Sequence, residues 1–164
     1  AQTDFQPRII EFAGALVDSD AGGIVDEYST LIQPMMKLPE EIVKITGITD
    51  EALVGAPTFK DAVNEIAMYF ARADAMLAHN LAFDEMMMRT EIARLGKDIR
   101  FPFPRISLCT VQLYTEEWGR NMRLIELYHQ VIGRPLAQTH RAMYDVHALV
   151  EIVIKERLWT ICPN

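Results

Sequence analysis

Between Arg8 and Gln33 the chain reads as two mostly apolar runs joined by Asp18-Ser19-Asp20-Ala21-Gly22-Gly23, and this turn constrains the fold more than any other stretch. Arg8 to Val17 (RIIEFAGALV) carries β-branched residues, and Ile24 to Gln33 (IVDEYSTLIQ) places apolar residues at several alternate positions. Strands flanking Asp, Ser and Gly turn chemistry fold back on each other, so the chain opens with an antiparallel hairpin. Everything downstream has to cover a sheet that begins in this way.

Pro34 ends the second strand, Pro39-Glu40-Glu41 opens a short helix that Gly47 stops, and Thr49-Asp50-Glu51 starts a helical turn closed by Gly55-Ala56-Pro57. Thr58 caps a longer helix in which Phe59, Val63, Ile66 and Phe70 recur at three- and four-residue steps, one buried stripe facing a sheet. Asp74 to Ala78 (DAMLA) fits a short buried parallel strand. Asn80 is placed to cap the next helix, with Phe83, Met87 and Ile92 facing inward and Gly96 as its stop. Phe101-Pro102-Phe103-Pro104 crosses irregularly, Arg105 to Leu108 is a strand and Thr110 to Glu117 a short helix. Asn121 caps a helix carrying Leu124, Leu127, Tyr128 and Val131 that ends at Gly133. Thr139 or His140 begins the last helix, with Ala142, Val146, Leu149, Val150 and Val153 inward. A hairpin followed by strands alternating with helices is a mixed α/β sheet covered by helices. With 164 residues and no Pro/Gly/Ser-rich linker, a single domain over 1–164 is expected.

Sixteen basic against 23 acidic residues give a net charge of −7, which argues against a duplex binder that coats phosphates with Lys and Arg. An acidic chain still engages phosphates through bound divalent metal. Cys109 and Cys162 form no C-x-x-C pair, so neither a disulfide framework nor a zinc site is indicated. There is no run of 18 apolar residues and no basic-then-apolar leader, so a cytoplasmic protein without a membrane partner is expected. Met86, Met87 and Met88 fill core gaps rather than bind copper, because consecutive residues on a helix do not converge.

Two acids stand where open α/β sheets build their sites. Asp84 lies in the first helical turn beyond a buried strand, and Asp145 lies near the start of the last helix, five residues after His140. Taken singly each has a plain reading: an Asp in a first turn compensates the helix dipole, and His-x4-Asp recurs in many helices. The joint pattern of HN-x-x-FD with His-x4-Asp is more specific than either.

These strings resemble the DEDDh 3′–5′ exonuclease superfamily, whose members include the epsilon proofreading subunit of bacterial DNA polymerase III, ribonuclease T and oligoribonuclease. Four pieces match in order: IIEFAGALVD at Ile9 to Asp18, ITGIT at Ile45 to Thr49, AHNLAFD at Ala78 to Asp84, and THRAMYDVHALVEI at Thr139 to Ile152. The resemblance implies a ribonuclease H-like mixed sheet flanked by helices. It implies that Asp145 ligates Mg²⁺ or Mn²⁺ directly, that Asp84 serves the paired metal, and that His140 accepts the proton of the attacking water. Asn80, Phe83, Gly47 and Ile48 would shape the pocket of the terminal nucleotide, with Phe83 equally readable as core. Carboxylates suit hard divalent cations and an imidazole titrates near neutrality, so the chemistry agrees. His79 carries less weight than its neighbours, His147 falls about 200° round a helix from Asp145, and His129 reads as structural.

The chain departs from this family at the first motif. No Asp-x-Glu strand precedes Ile9, and Glu11 belongs to the following strand, where relatives carry an acid in addition to that motif. The expectation is an N-terminally incomplete domain, lacking two metal ligands and the middle strand, and inactive as written. The implied function is removal of nucleoside monophosphates from single-stranded DNA 3′ ends, in proofreading or repair and in partnership with a polymerase subunit. RNA 3′-end trimming is the alternative, and a non-catalytic nucleic-acid or polymerase-associated binding module is the reading from another class.

Overall fold

In the computed structural model, residues 7–96, 99–137 and 141–162 are described. The hairpin forms as the sequence predicts: β1 (Glu11–Asp18) pairs antiparallel with β2 (Gly23–Leu31), from Glu11 opposite Leu31 to Asp18 opposite Gly23. Asp18 Oδ1 holds the turn by accepting the N–H groups of Asp20 at 2.9 Å and Ala21 at 2.7 Å.

The short helix α1 (Glu40–Thr46) follows Pro39 and stops at Gly47, whose backbone is left-handed at φ 69°. A single 3₁₀ turn, Glu51–Leu53, precedes α2 (Phe59–Ala71), where Thr58 and Asp61 cap each other's backbone N–H groups. β3 (Ala75–Ala78) runs parallel to β4 (Ile106–Cys109). The remaining helices are α3 (Leu81–Leu95), α4 (Thr110–Trp118), α5 (Leu124–Ile132) and α6 (Ala142–Glu156), and a 3₁₀ turn at Leu158–Ile161 closes the chain.

Three expectations about these helices are corrected. Asn80 occupies the cap position of α3 but takes a left-handed backbone at φ 70° and makes no side-chain capping bond. Asn121 does not cap α5; its amide oxygen accepts the Thr115 hydroxyl at 2.7 Å, and the Arg123 N–H donates to Glu126 Oε2 at 2.9 Å at the start of that helix. Phe83 is 53% exposed, whereas Leu81, Met88, Glu91 and Ile92 are the buried residues of α3. Phe83 lies two residues beyond Leu81, roughly 200° around the helix, so the two cannot share an inward face. On α6 the buried residues are Ala148, Val150, Ile152 and Val153, with Ala142, Val146 and Leu149 half-buried, because this helix packs on both the hairpin and α5.

The strands form two separate ladders, β1 with β2 and β3 with β4, and among the described residues none joins β1 to β3. Helices bridge them instead. Met88 and Ile92 of α3 enter the cluster with Ile9, Ile32, Phe59, Val63 and Ile66, while α3 also touches β3 and β4. On the other side α6 packs on β1 and shares a cluster with Leu77 and Leu108 of the parallel pair. All four residues of β3 and seven of the eight in β1 are only half-buried, the state of strands that keep an open edge. The result is a mixed α/β architecture in which helices flank two small ladders.

Under the hairpin, Glu91 is 2% exposed and accepts from Arg8 Nε at 2.8 Å and the Ile9 N–H at 3.1 Å, with Arg94 Nη1 3.1 Å away. A buried carboxylate is tolerated only with such partners. Among the described residues no helix is long and apolar enough to cross a membrane.

Candidate active site

Because β3 and β4 are parallel, with Ala78 opposite Cys109, the residues that follow them emerge side by side. These are His79 and Thr110, and they are bonded: His79 Nδ1 lies 2.9 Å from Thr110 Oγ1, a fully buried hydroxyl. His79 Nε2 lies 2.9 Å from the Met122 carbonyl oxygen. A carbonyl only accepts, so Nε2 carries the proton and Nδ1 of the neutral ring accepts the Thr110 hydroxyl. Desolvation holds the His79 pKa below the ordinary value, opposed by the Met122 carbonyl and by the charge of Asp145. Leu77 of β3 packs against the cluster that holds Ala148 and Ile152 of α6, which sets that helix beside the parallel pair from whose end α3 departs.

Asp84 sits in the first turn of α3. The residue is open to solvent, yet the protein around its carboxyl desolvates it enough to push its pKa up to about 6. Among the described residues no cation offsets that cost. Asp145 is exposed in the first turn of α6, and its backbone N–H donates to the Arg141 carbonyl at 3.3 Å. Glu11 reaches the same turn from β1, accepting Arg141 Nε at 3.0 Å and Nη2 at 2.9 Å on one oxygen and the Ala142 N–H at 3.0 Å on the other.

His140 lies outside the described residues. Phe83 presents an exposed ring beside Asp84, and Asn80 contributes the left-handed turn before it. Gly47 ends α1, and Ile48 is buried with Leu38 and Leu53. His147 faces away, bonded through Nε2 to Glu27 Oε2 at 2.8 Å, and His129 is an exposed residue of α5. Sequence reasoning missed the bonds that Glu11, Thr110 and Met122 make, and both ring nitrogens of His79 are held by two of these partners. Only His79 had a local signal, its place in the HN string; the others are bonded across 31 to 131 residues.

Among the described residues no group of three or more His, Cys, Asp and Glu side chains gathers round a point. The two acids still suit a hard divalent ion: both offer oxygen donors, and Asp84 is a desolvated carboxyl with no cation beside it among the described residues.

The α/β fold thus sets Asp84 and Asp145 in the first turns of two helices, α3 and α6. Residues 2–153 match the RNase_T exonuclease family. A Mycobacterium tuberculosis protein whose name couples an exonuclease with an endonuclease is 35% identical over 138 residues, 80% of this chain and 20% of that protein. DNA polymerase III PolC-type from Clostridium perfringens is 30% identical over 146 residues, and its Staphylococcus aureus counterpart 32% over 151; these cover 89% and 90% of this chain and 10% of each polymerase. The chain thus spans between 10% and 20% of the length of these curated relatives. Among solved structures, the nuclease domain of 3′hExo, a DEDDh family member bound to rAMP, superposes with a TM-score of 0.76 at 15% identity over 96% of this chain and 86% of that one. Exonuclease X in complex with 5′-overhanging duplex DNA gives 0.66 at 22% identity, covering 92% and 82%. The chain belongs to the RNase_T exonuclease family, and one solved structure that shares its fold is described as a member of the DEDDh family. That family generally uses divalent metals.

Proposed function

We propose that this domain is a metal-dependent 3′–5′ exonuclease that releases nucleoside monophosphates from single-stranded DNA ends, in proofreading or repair. The observation that supports it most is positional: Asp84 and Asp145 each sit in the first turn of a helix, α3 starting three residues beyond the end of β3 and α6 packing in the cluster that Leu77 of β3 joins. Asp145 and Asp84 hold Mg²⁺ or Mn²⁺, and His140 takes the proton of the attacking water. When bound, the ions supply Lewis acidity for attack on the terminal phosphodiester and for departure of the leaving oxygen. Asn80, Phe83, Gly47 and Ile48 shape the end pocket, where the exposed Phe83 ring offers a stacking face for an unpaired base.

The names of the relatives at 30% identity and above favour DNA and a polymerase partner. The rAMP bound to 3′hExo favours RNA as the second reading. The test is a digestion assay with matched DNA and RNA oligonucleotides on the full polypeptide its gene encodes, including any residues ahead of Ala1. Mg²⁺-dependent release of monophosphates from DNA 3′ ends, abolished by Asp145→Ala in a protein that stays folded, is expected. Activity unchanged by that substitution rejects the site, and absence of an encoded Asp-x-Glu strand with no digestion of either substrate establishes the binding-module reading.

A further inference from the structure

Glu11 is the acid that sequence reasoning set aside, and its surroundings give it a different task. It stands at the start of β1 with its side chain 11% exposed, and its two oxygens are engaged by three donors from the head of α6. The Ala142 N–H is one of the first-turn amides that a helix leaves without an internal acceptor. A carboxylate there supplies that acceptor and faces the positive end of the helix. The grip extends to Asp145, because the Arg141 carbonyl accepts the N–H of Tyr144 at 3.1 Å and of Asp145 at 3.3 Å.

Resting on the metal-site reading above, we propose that Glu11 is a positioning residue: from β1 it locks the first turn of α6 so that the Asp145 carboxylate is held ready for a divalent ion. Glu11 acts through Asp145 rather than as a ligand, since its oxygens face the head of α6, where three donors take three of about four acceptor sites. Arg141 is the second half of the clamp, and the salt bridge ties the strand to the residue from which the Asp145 backbone hangs. Partners beyond the ligands themselves typically carry about 10- to 100-fold in metal affinity.

The test uses Mn²⁺ alone, titrated by its paramagnetic signal into the full encoded polypeptide, with Asp145→Asn defining the component that belongs to this site. Glu11→Ala should weaken that component about tenfold or more. It should lower kcat in parallel while KM for the oligonucleotide stays within about twofold, the split expected of a group that sets a ligand without touching substrate. Glu11→Gln keeps an acceptor for the Ala142 N–H and should recover part of the loss. Arg141→Ala removes an exposed side chain, leaves the core untouched and should weaken Mn²⁺ in the same direction by a smaller factor. Wild-type Mn²⁺ affinity in Glu11→Ala or, should that variant not fold, in both Glu11→Gln and Arg141→Ala overturns the proposal. An Mn²⁺ titration indifferent to Asp145→Asn overturns the metal-site reading itself, and this proposal with it.

Discussion

At the scale of single residues, Asp84 carries the sharpest electrostatic signature. A carboxyl whose pKa stands at about 6 is partly protonated at mildly acidic pH, and a proton competes with a cation for it. Mn²⁺ affinity should therefore fall as pH drops below about 6, reaching roughly tenfold weaker at pH 5 than at pH 7.5, in a calorimetric titration across that range. Affinity that is flat from pH 7.5 to 5 contradicts the assignment. The stability consequence has the opposite sense from that of a salt-bridged acid. Because the folded pKa is raised, the favourable contribution of Asp84 is present below its unfolded value and is lost as pH rises through about 6. Asp84→Asn should then melt no lower than wild type at pH 7.5 without metal, and a lower melting temperature shows that the charge is already paired. The first-turn positions of Asp84 and Asp145 were legible in the sequence because each sits in a short local string. Glu11 and Thr110 were not, since their partners are distant in the chain and only folding brings them together.

At the scale of elements, turns and caps were read well where a local bond decides them and poorly where a neighbour competes. Thr58 with Asp61, and the glycines ending α1 and α5, stand where their chemistry predicts. Asn121 lost its cap because Glu126 bonds the Arg123 N–H and Thr115 claims the Asn amide. Gly47→Ala should cost about 1 kcal/mol in urea denaturation, because its left-handed φ of 69° disfavours a side chain although the space is open. Glu91→Ala should cost more, about 3 kcal/mol, since it removes the buried acceptor of Arg8 Nε and the Ile9 N–H beneath the hairpin and the carboxylate beside Arg94. Wild-type stability in Glu91→Ala would mean those groups find water or other partners.

At the scale of the whole molecule, the net charge of −7 and the acids at the strand ends argue for one way of holding a nucleic acid. In the function proposed above, phosphate is engaged through the ion rather than through a basic surface, so chelation should remove most binding to a single-stranded oligonucleotide. Fluorescence anisotropy with Mg²⁺ and with a chelator checks this, and undiminished binding in the chelator points to a basic track instead. The mixed α/β architecture was legible from periodicity, whereas the sequence reading expected one mixed sheet and the strands form two ladders. How helices α3 and α6 would straddle both ladders was not, because it depends on which faces two distant helices bury. The most direct measurement of the central claim is anomalous scattering from crystals of the full encoded polypeptide soaked in Mn²⁺. The account predicts ion density in one pocket bordered by the carboxylates of both Asp84 and Asp145; density meeting only one of them, or two acids facing separate regions, contradicts it.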